Sequence, residues 1–127
     1  MASSSSLKSK AYMVEKTTTL GVATGTTVGP AVLANTMVIA SGIEFVTAAG
    51  SAATSATVAV GDGVTANLAA VSMQAKAAGT ILGGVVPSFV SADDTIDAVL
   101  AVTGSGLVAV SARIWAVVVD CNENTKN

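Results

Sequence analysis

Asp93, Asp94 and Asp97 form the densest cluster of ionisable side chains in the sequence. Carboxylates crowded this closely can converge on a hard cation such as Ca²⁺. They lack the ligand spacing of an EF-hand, so we read them as a solvated loop that enters a strand at Thr95. A second combination is Arg113 beside Trp115, where an indole could stack on a sugar and a guanidinium could donate to its hydroxyls or to an anion. The chain has only one Trp, one Tyr and two Phe. Trp115 is therefore worth more as a packing anchor, and Arg113 is expected to pair with Glu15, Glu44 or Asp97. The single cysteine, Cys121, cannot form an intrachain disulfide and reads as a passive thiol near a strand end.

Most catalytic repertoires are missing. Without histidine there is no usual general base, no serine or cysteine triad and no common zinc site. The glycines at 21, 25 and 29 fit neither phosphate-binding nor dinucleotide-binding spacing and mark turns or bulges. We assign no catalytic, cofactor-binding or metal-ligating residue, and expect a protein that is not an enzyme and uses no cofactor. Six scattered cations against eight acids supply no basic stripe for nucleic acid and no polybasic patch for an anionic membrane.

The elements that must carry these residues follow a period of two. In Leu107 to Asp120, one parity collects Val108, Val110, Ala112, Ile114, Ala116 and Val118, the apolar face of a buried strand. The other parity, Leu107, Ala109, Ser111, Arg113, Trp115, Val117 and Val119, is mixed but still largely apolar. A strand with one wet face alternates cleanly, so both faces are expected to meet protein: the core on one side, another subunit or an N-terminal arm on the other. Leu107, Ala109, Arg113, Trp115 and Val117 are the candidate interface residues.

Upstream, Ile96, Ala98, Leu100 and Val102 alternate before Gly104-Ser105-Gly106, which predicts a hairpin with the closing strand. Thr36 to Ala40 and Ile43 to Thr47 flank Ser41-Gly42 as a second hairpin or a bulged strand. Asp62-Gly63 marks a tight turn. Tyr12 to Lys16 and Leu20 to Val28 are weaker strand candidates, and Gly83 to Asp94 reads as a loop around Pro87. Asn67 to Gly79 differs: its Ala, Met, Gln and Lys content, with Asn67 as N-cap and Gly79 as stop, predicts a short helix. Turns recurring at roughly 8 to 12 residues suit a β-sandwich or barrel.

At 127 residues the chain is most simply one domain. Residues 10–122 are expected to form it, with flexible tails at 1–9 and 123–127. "MASSSSLKSK" lacks the apolar core of a secretory signal, so export by that route is not expected. Thr17 to Ile43 is uncharged but interrupted by glycines, Pro30 and Asn35. Leu107 to Val119 is too short for a helical span and carries Arg113. Charged residues, at 11%, are about half as frequent as in an average soluble protein. Part of the surface is therefore expected to be covered by other protein.

Taken together, "MVIASGIEFVTAAG", "ATVAVGDG", "AAGTIL" and "AVLAVTGSGLVAVSARIWAVVVD" resemble the small structural proteins of tailed bacteriophages, and among them the capsid decoration, or cement, proteins. The likeness spans residues 12 to 121 and rests on strand and turn patterns. It implies an all-β, jelly-roll-like antiparallel sandwich and a homotrimer bound to the major capsid protein on the outside of the head. It also implies assembly in the host cytoplasm and residence in the virion. Tail or head-fibre-base proteins share such patterns, and a carbohydrate-binding β-sandwich using Trp115 and Arg113 is the alternative outside this class.

Overall fold

A computed structural model describes residues 11–51 and 53–121. The tails expected at 1–9 and 123–127 lie outside these residues. Among the described residues nine strands follow one another: β1 (Ala11–Leu20), β2 (Gly25–Val32), β3 (Thr36–Phe45), β4 (Ser55–Gly61), β5 (Ala66–Ser72), β6 (Ile81–Gly84), β7 (Ser88–Val90), β8 (Asp94–Thr103) and β9 (Val110–Asp120). They build two antiparallel sheets. One runs β1-β9-β3-β6 with β7 also on β3, and the other runs β2-β8-β4-β5.

The path alternates between the sheets at nearly every connection, and only β4–β5 and β6–β7 continue within one sheet. This wrapped order is that of a jelly roll. Strands β6 and β7 lie along successive parts of β3, opposite Ser41–Glu44 and Thr36–Val38. They are one edge interrupted at 85–87, where Pro87 removes a ladder donor.

Val108, expected on the buried face of the closing strand, lies before β9 and is 60% exposed, but within β9 the alternation holds: Val110, Ala112, Ile114, Ala116 and Val118 are all buried. They meet Ile96, Ala98 and Leu100 of β8 and Val58 and Val60 of β4 across the sandwich, with Ile43 and Phe45 of β3 beside them in one continuous core. Such close-packed apolar surface is the main stabilising term.

Four further expectations need correction. The segment Asn67 to Gly79 contains no helix: β5 takes its first part, and Val71 and Ser72 pair with Val58 and Thr57. Beyond β5, Ala75 at φ 58° and Gly79 at φ 90° occupy left-handed conformations no helix can pass through. Local helix preference yields here to cross-strand pairing and to the burial of Met73. Strands β8 and β9 are not a hairpin but belong to different sheets. Gly104 and Gly106, both at positive φ, turn the chain across the sandwich, and the closing strand begins at Val110.

The weak strand candidate from Leu20 to Val28 is divided, since Leu20 ends β1 and β2 starts at Gly25. The loop expected from Gly83 to Asp94 contains the end of β6, all of β7 and the first residue of β8. Of the two readings of Thr36 to Thr47, the bulged strand holds, with the register shift between Val38 and Ala40. The Asp62-Gly63 turn forms as expected: Asp62 Oδ1 accepts from Val64 N at 2.9 Å and Thr65 N at 2.7 Å, and Gly63 takes φ 92°.

Candidate functional site

The three aspartates do not converge. Asp93 Oδ1 accepts from Ala34 N at 2.9 Å and Asp94 Oδ1 from Thr95 N at 2.7 Å. Asp97 Oδ1 accepts from Thr95 Oγ1 at 2.7 Å and Gly29 N at 3.4 Å. Each carboxylate fastens its own piece of backbone or strand start. Among the described residues no group of three or more His, Cys, Asp or Glu side chains could hold a metal ion.

The outer face of the β1-β9-β3-β6 sheet is different. Directly paired residues in an antiparallel ladder point to the same side, so the registers define the face row by row. Val119 lies between Ala11 and Met37, and Met37 lies opposite Phe89. Val117 lies between Met13 and Ala40. Trp115 lies between Glu15 and Gly42, with Gly83 beyond, and Arg113 lies between Thr17 and Glu44, with Ile81 beyond.

Much of this surface is apolar and open. Ile81 is 62% exposed, Met13 57% and Phe89 52%. At its centre Arg113 Nη1 donates to Glu44 Oε1, and Arg113 Nε lies 3.7 Å from Glu15 Oε1. Two of the three expected acidic partners are therefore engaged. Asp97 belongs to the other sheet. Met13, Ile81 and Trp115 line a shallow hollow around this triad, about 190 Å³ in volume.

The hollow offers little to a sugar. Both carboxylates flank the guanidinium, and the indole lies against backbone: a Cβ on Gly42 would come within 2.6 Å of Trp115 Cζ2, and one on Gly83 within 2.7 Å. The glycines leave room for the ring, which fills the surface their missing side chains leave open. Trp115 Nε1 is buried without a hydrogen-bond partner among the described residues. These contacts suit an anchor for the sheet more than a platform for a ligand.

Of the five candidate interface residues, Arg113, Trp115 and Val117 lie on this face. Leu107 is buried in the chain's own core and Ala109 is exposed before β9 begins. Met13, Met37, Ile81 and Phe89 escaped the sequence reading because the ladder brings them in from other strands. Only the Met13/Glu15 alternation hinted at their side of the sheet.

A second polar feature was also missed. Asn67, 1% exposed, faces Ser41 Oγ through its Oδ1 at 2.9 Å and donates from Nδ2 to Val86 O at 2.7 Å and Ser88 Oγ at 3.1 Å. It ties β5 of one sheet to β3 and the interrupted β6–β7 edge of the other. Its role is structural.

No protein-family model matches the chain, and no curated protein sequence matches it. The fold does have solved counterparts. A chain in the acidic stable capsid structure of Helicobacter pylori bacteriophage KHP30 aligns over 84% of this chain and 86% of its own, with TM-score 0.52 and 13% identity. A chain of the cyanophage Pam1 capsid asymmetric unit aligns over 88% and 84%, with TM-score 0.55 and 14% identity. At such identities the likeness is one of fold.

Proposed function

We propose that this chain is a structural protein of a phage virion, a decoration or cement protein that binds the major capsid protein on the outer head surface as a homotrimer. The observation that carries the reading is the apolar outer face of the β1-β9-β3-β6 sheet, where Met13, Met37, Ile81 and Phe89 remain open to water. A contiguous apolar patch of this kind marks a surface that another protein covers. The shared fold with chains of two phage capsid structures supports the setting.

Such a protein acts without catalysis. It binds a surface that exists only in the assembled shell, and so stabilises that state over any other by its binding free energy. Arg113, Trp115 and Val117 contribute the centre of the covered face. Glu15 and Glu44 keep the guanidinium neutralised when water is excluded, since a buried cation without its partner is costly.

The test combines native mass measurement with co-sedimentation of the purified chain on phage heads stripped of it, followed by electron cryomicroscopy. The expected result is a trimer in solution that fills symmetry-related positions on the head and raises its melting temperature. A stable monomer that ignores heads overturns the proposal, and density confined to the tail or fibre base moves the protein there.

A further inference from the structure

The four outermost strands of the two sheets are not alike. The β6–β7 edge is short and broken at Pro87. Strand β2 carries Pro30 within a register shift between Val28 and Ala31, and β5 pairs with β4 through two shifts. Prolines, bulges and short edges are the devices by which sheets avoid pairing with foreign strands. Strand β1 has none of these three, and of the charged side chains that also discourage such pairing it carries Glu15 and Lys16. Its ten residues contain no Gly or Pro, they pair with β9 in unbroken register, and among the described residues β1 ends its sheet.

We propose that β1 pairs antiparallel with β1 of a second copy about a two-fold axis, continuing one sheet across two molecules. The side chains select the register. Centring the pair on Glu15 or on Lys16 sets like charges directly opposite each other, which is destabilising. Centring it on Thr17 leaves Tyr12 and Met13 outside the paired stretch. Centring it on Val14 sets Val14 opposite Val14, Met13 opposite Glu15 and Tyr12 opposite Lys16, where the ammonium can lie against the phenol ring.

The same arrangement covers an open seam. Beside β1 the two sheets part around a groove lined by Val14, Lys16, Val28, Gly29 and Pro30. Tyr12 is 43% exposed and Val28 51%, and a second copy added at β1 shields them. The area involved is small for a protein interface, so pairing is weak in dilute solution and gains from copies held close together. This two-fold contact differs from any contact that closes a trimer, and it rests on nothing in the capsid reading.

Electron-electron dipolar spectroscopy tests it. The full chain, with Cys121→Ser, carries one nitroxide at Thr17→Cys or at Thr19→Cys, both exposed positions of β1. In the Val14-centred register residue 17 is three positions from the axis and residue 19 five. At about 3.3 Å per residue the backbone separations are roughly 20 Å and 33 Å. These distances are expected to emerge as concentration rises toward millimolar, with circular dichroism unchanged. A Thr17 separation of about 15 Å or less, as the Glu15-, Lys16- and Thr17-centred registers give, or no concentration-dependent coupling, overturns the proposal. Couplings at the two predicted distances in a protein that ignores phage heads would uphold this pairing while removing the capsid reading; head binding without those couplings does the reverse.

Discussion

The indole of Trp115 rests on the backbone of Gly83, so closely that a Cβ at Gly83 would lie 2.7 Å from Cζ2 and 2.8 Å from Cη2. Gly42, paired to Gly83 across the ladder, leaves the other part of the same seat open. One aromatic ring thus joins β9, β3 and β6 on a face that has no other large aromatic at its centre.

Removing the ring should loosen all three strands. Trp115→Ala is expected to cost about 3 to 5 kcal/mol, the range for a large aromatic cut back to alanine, read from urea unfolding. Trp115→Phe should cost much less, because it also removes the unpaired buried Nε1, whose burial penalty is of order 1 to 3 kcal/mol. Equal losses in the two variants would contradict the packing account.

The glycine seat predicts coupling. In Gly83→Ala the new methyl meets mainly the indole, whereas in Gly42→Ala it would also fall 2.0 Å from Leu82 O. Gly42→Ala should therefore be the more damaging variant. Combining Gly83→Ala with Trp115→Ala should cost less than the sum of the single changes, by about 0.5 to 3 kcal/mol as for residues in contact. Strict additivity in the double-mutant cycle would show that ring and glycine do not touch.

The ion triad is asymmetric. Glu44 is hydrogen-bonded to Arg113 and its side chain is 28% exposed, while Glu15 is 3.7 Å away and 54% exposed. Glu44→Gln should thus lower stability by about 1 kcal/mol and Glu15→Gln by only a few tenths, in keeping with solvent screening of exposed pairs. Thermal melts at low and high salt check this, with the larger salt response expected in the wild type.

Asn67 predicts a local effect with a wider reach. Asn67→Ala leaves Ser41 Oγ and Val86 O without their side-chain partner, a loss of about 1 to 3 kcal/mol for buried polar groups. Hydrogen exchange should show the β6–β7 edge opening well before β9. If β9 and the edge exchange together in this variant, the Asn67 tie does not hold the edge independently.

The turn makes the simplest case. Asp62 Oδ1 accepts two backbone donors and Gly63 sits at φ 92°. Asp62→Ala is expected to cost about 1 kcal/mol. Gly63→Ala should cost somewhat more, because a side chain is strained at that φ. A Gly63→Ala variant as stable as the wild type would show that the turn relaxes out of the left-handed region.

Local order was legible from the residues themselves. Alternation along β9, the Asp62-Gly63 turn and the partnership of Arg113 with glutamates all depend on neighbours two to four positions apart or on simple charge scarcity. Those signals survive in one dimension. What the alternation cannot encode is which strand lies beside which: β8 and β9 have the periodicity of a hairpin, yet they face each other across the core.

The folded chain alone decided that question, because the gain from burying Ile96, Leu100 and Ile114 against one another is non-directional and is satisfied only by the whole sandwich. It also decided that Asn67, in a segment with every local mark of a helix, would pair as a strand and bridge two sheets. The apolar outer face likewise arises only when β1, β3, β6, β7 and β9 are set side by side. Sequence proximity carries propensity, whereas adjacency across a ladder is settled by the collective packing of distant segments.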